Sequence, residues 1–332
     1  MRERPIITES GKINDYIHHV DLMEYGLKGF LSCYVAEFDE GTMILDCGSS
    51  LCVKTLLEYL KKENISLSSI LYLTTTHHHY DHVGGLWKLY EEVKKHNPRV
   101  RILTNKTTKE LLINNEYHLH RARRNFGDNV GEMFPIEEKA FEILKPLESF
   151  TIERLSNDYY ATFSKNGREI KFSVLNTHGH THDHNSPLFI NDENEIDFLF
   201  LGEAAGTLYN SSNLTSMPTS MAVYYRHDQY METLQKLKNI FPLRAGLGHF
   251  GVINGKDHIS KFILENESFS KEFRNKILEF YNDQPNTKYV VNRIIPFLAE
   301  RTNRMDENSP ILNNITLGTV YGMMMDLGLR SA

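Results

Sequence analysis

The first hundred residues alternate between apolar runs typical of strands and apolar spacing typical of helices. Runs rich in β-branched and aromatic residues lie at 29–38, 42–46 and 70–74, and turn-forming residues separate the first two. Apolar residues at helical spacing occupy 53–60 and about 86–95. This alternation predicts a layered α/β fold.

The pattern becomes more helical further along the chain. Residues 107–147 are mostly helical in pattern and rich in charge, while 163–175 read as a hairpin that turns at Lys165-Asn-Gly167. A buried strand is predicted at 196–201 and an amphipathic helix at 228–240.

The chain after Gly255 is predicted to be helical. Helices are expected at 259–265, 271–281 and 290–300, then a loop at 303–310, and a last helical stretch at 312–329 that Gly318 and Gly322 interrupt. We therefore expect a core domain over residues 1–255, with a helical insertion at about 107–150, and a helical extension over residues 256–332.

Sixteen histidines are present, and two groups of four are clustered at 77–82 and 178–184. In an extended segment after a strand, residues at i and i+2 point the same way, so His77 and His79 can reach one metal ion. Asp81 and His82 lie where the loop turns into the next helix and can face a second ion. Imidazole and carboxylate donors suit zinc, iron or manganese.

This segment resembles the His-x-His-x-Asp-His signature of the metallo-β-lactamase superfamily. Four further segments resemble that family's motifs in the same order: Ile44–Gly48, Asn176–Thr181, Phe200–Glu203 and Gly246–Gly251. The resemblance covers residues 29–255. It implies an αββα sandwich, in which two mixed sheets pack face to face with helices outside, and to this we add a C-terminal helical extension.

The resemblance also implies a ligand set. Two divalent metal ions, zinc first and iron or manganese as alternatives, are expected to bind to His77, His79, Asp81, His82, His180, Glu203 and His249. Asp46 is expected to orient a ligand, and Asp81 to act in catalysis as well. Glu203 departs from the family's usual Asp. His78 and His178 occupy positions that are not ligands in the family, and we expect them to be surface or supporting residues.

Such a site predicts hydrolysis of a small-molecule ester, thioester or lactone. Three alternatives remain open: a di-iron protein active towards oxygen or in redox chemistry, a phosphodiesterase, and a sensor or binding protein that keeps its metal. Metal analysis and a substrate screen would separate them.

Composition and charge bear on the partners and the cellular location of the protein. Hydrophobic residues make up 40% of the chain, and the net charge of -6 argues against a nucleic-acid partner. Three cysteines near the N-terminus do not form a disulfide pattern, and no secretory signal or membrane-spanning run is recognised. We expect a cytoplasmic protein without a membrane partner, and a homodimer is compatible with the sequence.

Overall fold

The computed structural model describes residues 4–209, 213–302 and 310–331. Its strands, numbered in chain order, are β1 (Ile6–Ile7), β2 (Gly11–Lys12), β3 (Ile17–Asp21), β4 (Ser32–Glu37), β5 (Thr42–Leu45), β6 (Ile70–Thr74), β7 (Arg101–Thr104), β8 (Phe141–Ile143), β9 (Ala161–Lys165), β10 (Arg168–Asn176), β11 (Asn185–Ile190), β12 (Ile196–Gly202), β13 (Arg244–Leu247) and β14 (Val252–Asn254). Its α-helices are α1 (Val53–Lys62), α2 (Tyr80–Val83), α3 (Leu86–His96), α4 (Lys106–Ile113), α5 (Glu116–Phe126), α6 (Ile152–Asn157), α7 (His227–Leu237), α8 (Lys256–Asp283), α9 (Thr287–Ala299) and α10 (Pro310–Asp326).

The described strands form two mixed sheets of seven. One has the order β2-β3-β4-β5-β6-β7-β8 and the other β1-β14-β13-β12-β11-β10-β9. Strands β5 to β8 are mutually parallel, and β12 pairs in parallel with β13. Helices after most of the parallel strands cover the outer faces, which is the connection that parallel strands require.

Alternation along the strands explains why both faces of each sheet are buried. In β4, Tyr34 and Ala36 join an aromatic-rich cluster between the sheets, whereas Cys33 and Val35 belong to a larger cluster that includes helical side chains. Strand β12 divides in the same way. Strands buried on both faces read as continuous apolar runs, as these do. The predicted αββα sandwich with C-terminal helices is confirmed.

Several elements differ from the sequence-based prediction. Within the segment expected to be mostly helical, Phe141–Ile143 forms the edge strand β8, paired with β7. The two helices expected between 259 and 281 are one helix, α8. Helix α10 passes through Gly318 and Gly322 without interruption. The loop predicted at 303–310 lies almost entirely outside the described residues.

The predicted hairpin at 163–175 is present as β9 and β10, and both residues of its turn have positive φ, 52° at Asn166 and 77° at Gly167. This conformation is typical of the two-residue turns that match strand twist. Among the described helices, none is long and apolar enough to cross a membrane.

Candidate metal centre

Seven His, Asp and Glu side chains converge at one edge of the sandwich, where four strands end. The segment after β6 contributes four of them, and one each comes from the segments after β10, β12 and β13. They are His77, His79, Asp81, His82, His180, Glu203 and His249. The structure therefore brings together all seven residues that the sequence proposed as ligands.

The first group comprises His77, His79, His180 and Glu203. The Nε2 atom of His180 lies 3.2 Å from Nε2 of His77 and 3.1 Å from Nδ1 of His79. The Oε2 atom of Glu203 lies 3.3 Å from Nε2 of both His77 and His180. Four donor atoms thus surround one small volume.

The second group comprises Asp81, His82 and His249. The Oδ2 atom of Asp81 lies 3.8 Å from Nε2 of His82 and 3.5 Å from Nε2 of His249. Glu203 reaches this group too: its Oε2 is 3.1 Å from Nε2 of His82, and its Oε1 is 3.4 Å from Nε2 of His249. The Glu203 carboxylate therefore lies between the two groups.

Hydrogen bonds on the far side of the rings fix which nitrogen of each imidazole faces the centre. Nδ1 of His180 lies 2.5 Å from the carbonyl oxygen of Thr219, and Nδ1 of His249 lies 2.9 Å from that of Phe30. A carbonyl oxygen can only accept, so both Nδ1 atoms donate, and Nε2 of each ring is the nitrogen that faces the centre.

Asp46 gives His82 and His77 the same orientation. Its carboxylate accepts hydrogen bonds from the backbone N–H and hydroxyl of Thr76, at 2.8 and 2.7 Å, and from Nδ1 of His82 at 2.9 Å. Because the Thr76 hydroxyl donates to Asp46, it accepts from Nδ1 of His77 at 3.0 Å. Nε2 of His82 and Nε2 of His77 are thereby the ring nitrogens that face the centre.

The charges in this site favour a cation. Burial, followed by the neighbouring histidines, lowers the pKa of His77 and His79 well below the usual value, which leaves neutral rings. Burial opposes ionisation of Glu203, yet the adjacent His180 and His82 keep the pKa of this carboxyl well below its usual range. Burial opposes protonation of His82, but the Glu203 and Asp81 carboxylates outweigh it and raise the pKa of His82 well above its usual value, so the site favours positive charge at this ring. Imidazole nitrogens and carboxylate oxygens that converge in this way fit divalent metal ions, whose ligands are these groups.

Two buried atoms add to this fit. Nε2 of His82 and Oε2 of Glu203 lie 3.1 Å apart, yet neither makes a well-aligned hydrogen bond within the described part of the chain. Buried polar atoms are almost always partnered, so an unpartnered pair at the centre of a donor cluster indicates a missing ligand. A metal ion bound by both groups would satisfy them.

His184 holds Glu203 in place, a role that the sequence did not reveal. The backbone N–H of Glu203 donates to Nε2 of His184 at 3.2 Å, and Nδ1 of His184 pairs with the Thr177 hydroxyl at 2.8 Å. Burial lowers the pKa of His184 to about 3, so that its ring is neutral and able to accept. The β12 end that carries Glu203 is thereby tied to the β10–β11 connection.

His78 is deeply buried rather than on the surface, and it pairs with an acidic residue that sequence reasoning missed. Nδ1 of His78 lies 2.8 Å from Oδ1 of Asp183, whose other oxygen accepts from the Thr108 hydroxyl at 2.6 Å. Burial opposes ionisation of Asp183, but His78 outweighs it and holds the pKa of this carboxyl well below its usual range. His178 is half-buried and belongs to neither donor group. Only the position of Asp183 between two histidines hinted at this pair.

The donor groups open into a pocket with about 960 Å³ of empty space, part of which is open to solvent. Its wall is largely aromatic and apolar and includes Tyr25, Phe30, Phe126, Tyr209 and Met221. This lining suits a small organic molecule.

The C-terminal helix reaches this pocket. Ile315 and Thr319 of α10 line it, and the Ser220 hydroxyl donates to the carbonyl of Thr319 at 2.9 Å. A Cβ at Gly322 would collide with the carbonyl oxygen of Ser220, so glycine permits this close packing. Because Ser220 follows Thr219, the acceptor for His180, α10 supports the segment that orients that ring.

Comparison with protein-family models gives a match to the model described as metallo-beta-lactamase superfamily over residues 27–247. The metallo-beta-lactamase fold-containing protein ST1585 of Sulfurisphaera tokodaii is 25% identical over 242 residues, which are 70% of this chain and 82% of that protein. The hydroxyacylglutathione hydrolase of Chromohalobacter salexigens is 43% identical over 58 residues, only 18% of this chain and 19% of the enzyme.

Solved structures show the same fold. The crystal structure of ST1585, from Sulfolobus tokodaii, superposes with a TM-score of 0.56 at 21% identity and covers 76% of this chain and 85% of that one. The metallo-beta-lactamase family protein TTHA1429 from Thermus thermophilus gives a TM-score of 0.60 at 15% identity, covering 90% of this chain and 88% of that one.

Proposed function

The chain belongs to the metallo-beta-lactamase superfamily, and from its site we propose that it is a dinuclear metal-dependent hydrolase acting on a carboxylic ester, thioester or lactone. The observation that carries the proposal is the convergence of four imidazole Nε2 atoms on the Glu203 carboxylate, at 3.1–3.4 Å. Five imidazoles and two carboxylates form the donor set, and zinc is the metal we propose first.

The first metal would be held by His77, His79 and His180, the second by Asp81, His82 and His249, and Glu203 would serve both. Divalent ions in such a site supply Lewis acidity and make water acidic enough to ionise near pH 7. The hydrogen bonds to Asp46, Thr219 and Phe30 hold the rings in position before a substrate arrives.

Asp81 is the acidic side chain best placed to handle a proton. It lines the pocket, and its side chain is 18% exposed, against 6% for Glu203. A carboxylate oxygen that is free to face the pocket can accept a proton from attacking water and pass it to the leaving group. The aromatic wall at Tyr25, Phe30 and Phe126 excludes bulk water from the apolar part of the substrate.

The test combines metal analysis with a substrate screen. We expect the purified protein to contain close to two equivalents of metal and to hydrolyse at least one member of a panel of p-nitrophenyl esters, acyl thioesters and lactones. Chelation should abolish turnover, and re-addition of zinc should restore it. His77→Ala should lose metal and turnover, while the control variant His178→Ala should keep both.

Other results of the same screen would contradict the proposal. Turnover of bis-p-nitrophenyl phosphate alone would assign a phosphodiesterase. Two iron ions with a visible absorption band and no turnover on any ester would assign redox chemistry. Bound metal without turnover on any substrate of the panel would favour a sensor or binding protein.

A further inference from the structure

Helix α5 carries a basic stretch, which divides between two faces of the helix and comprises His118, His120, Arg121, Arg123 and Arg124. Tyr117, His118, Arg121, Ala122 and Asn125 line the pocket. These positions recur three or four residues apart, which places them on one side of an α-helix. The other basic residues of the stretch are exposed and do not line the pocket: His120, Arg123 and Arg124.

Arg121 brings a positive charge to the pocket without an acidic partner. Its Nη1 donates to the Tyr117 hydroxyl at 2.9 Å, and its guanidinium lies 5.6 Å from the centre of that ring. Across residues 4–209, 213–302 and 310–331, no carboxylate forms an ion pair with it. The acidic residues that line the pocket are Asp81 and Glu203, and both belong to the donor groups.

The neighbouring wall contains two polar atoms without partners. Nε2 of His78 and Nε2 of His118 are buried and make no hydrogen bond to any described residue. Their rings lie 4.9 Å apart, and the ring of His118 stacks at 6.1 Å on that of His79. Asp183, the nearest buried acid, is already occupied by His78 and Thr108. Unpartnered buried nitrogens beside an unpaired guanidinium require a polar ligand group.

We infer that this face of α5 is the specificity subsite of the proposed hydrolase and that it binds a carboxylate or phosphate carried by the substrate, remote from the bond that is cut. Arg121 would pair with the anionic group, since a guanidinium can donate two parallel hydrogen bonds to a carboxylate or phosphate. His118 and His78 would complete its hydrogen bonding. The inference rests on the proposed function, because the pocket lined by this face of α5 also opens onto the donor groups.

The positions of Arg121 and the donor groups also indicate the chemistry of the part of the substrate between its anionic group and the bond that is cut. Arg121 lies about one helical turn beyond His118, and His118 stacks on a proposed metal ligand. The wall of the same pocket is apolar or aromatic at Phe126 and Met221. The substrate class is therefore an ester or thioester with a short apolar chain that ends in an anion.

The test measures binding without turnover. Calorimetry on the metal-loaded protein compares linear dicarboxylates of four to eight carbons with monocarboxylates of the same length, so that the carboxylate at the metals is common to each pair. A parallel series replaces the second carboxylate by a phosphonate. We expect the preferred dianion to bind about 10- to 100-fold more tightly than its monoanionic counterpart, as a charge-assisted hydrogen-bonded pair provides.

Substitutions within α5 test whether Arg121 is responsible for the preference for the dianion. Arg121→Gln should remove the preference, Arg121→Lys should retain part of it, and the exposed control Arg124→Gln should leave it unchanged. Thermal unfolding and metal content check that each variant is folded and loaded. The larger preference, for carboxylate or for phosphonate, identifies the anion.

Two results would overturn the inference: no dianion binding more tightly than its partner, or an equal loss in Arg121→Gln and Arg124→Gln. The proposed function fails separately. If Arg121→Gln loses dianion binding but the wild type hydrolyses no ester, the subsite stands and the hydrolase does not. If esters are hydrolysed with no preference for a terminal anion, the hydrolase stands and the subsite does not.

Discussion

Shortening Glu203 by one methylene tests whether the site depends on the reach of this side chain. Glu203→Asp withdraws the carboxylate by about 1.5 Å, one C–C bond. The carboxylate now lies 3.1–3.4 Å from imidazole nitrogens of both groups. A metal–oxygen bond is about 2.0–2.2 Å long, so a retreat of this size takes the oxygen out of bonding distance.

The backbone cannot move forward to compensate. The N–H of Glu203 is bound to His184 at 3.2 Å and its carbonyl to the Thr219 hydroxyl at 3.2 Å. Gly202, the preceding residue, has a φ of 55°, and a Cβ added there would lie only 2.7 Å from Nε2 of His184. The backbone at this point is therefore closely packed against His184. Groups that hydrogen bond to metal ligands contribute up to ~100-fold to metal affinity. The loss of a ligand itself should therefore weaken metal binding by at least about 100-fold, or about 2.8 kcal/mol.

The assay is metal stoichiometry by mass spectrometry and affinity by competition with a chromophoric chelator. We expect Glu203→Asp to bind metal at least about 100-fold more weakly, and Glu203→Gln to be worse because it removes a negative charge from between two cations. The exposed Glu58→Asp on α1 is the control. Two ions bound by Glu203→Asp at wild-type affinity would refute the reasoning about reach, and unchanged binding by Glu203→Gln would show that Glu203 is not a ligand.

Two further substitutions test the surroundings of the site. His78→Ala leaves the buried Asp183 carboxylate without the hydrogen bond from His78 and should lower the free energy of unfolding by about 1–3 kcal/mol while metal stoichiometry stays at two. Urea unfolding and metal analysis test this, and a loss of metal equal to that of a ligand variant would contradict it. Gly322→Ala drives a Cβ into the Ser220 carbonyl and should destabilise by about 1–3 kcal/mol in urea unfolding. Gly318→Ala meets only the flexible end of the Met221 side chain and should cost less, so equal costs would contradict the packing argument.

The sequence predicted the site more completely than the fold around it. Each donor follows a buried strand, and strand ends that share a sheet edge bring such residues together. Of the two roles expected for His78, surface or supporting, the structure shows the supporting one; spacing could not choose between them because it does not show which loop residue, here Asp183, will reach a neighbouring ring. Nothing in the local sequence marks a contact made across 105 positions.

The predicted helix boundaries were wrong where a buried polar residue or a glycine makes close contacts with other elements of the fold. Asn266 broke the apolar period of α8, yet it is fully buried, accepts from the Tyr230 hydroxyl at 2.8 Å and donates to Ser216 at 3.0 Å. Gly318 and Gly322 read as helix breaks, whereas they allow α10 to pack closely on the 220–222 segment. Both helices continue because of long-range packing, which the periodicity of a single sequence does not reveal.

The central claim, a dinuclear site in this cluster, is tested most directly by anomalous diffraction from crystals of the metal-loaded protein. Two peaks about 3.5–4 Å apart are expected. One should lie among His77, His79 and His180, and the other among Asp81, His82 and His249, with Glu203 reaching both. A single peak, or a peak bound outside these seven residues, would contradict the account.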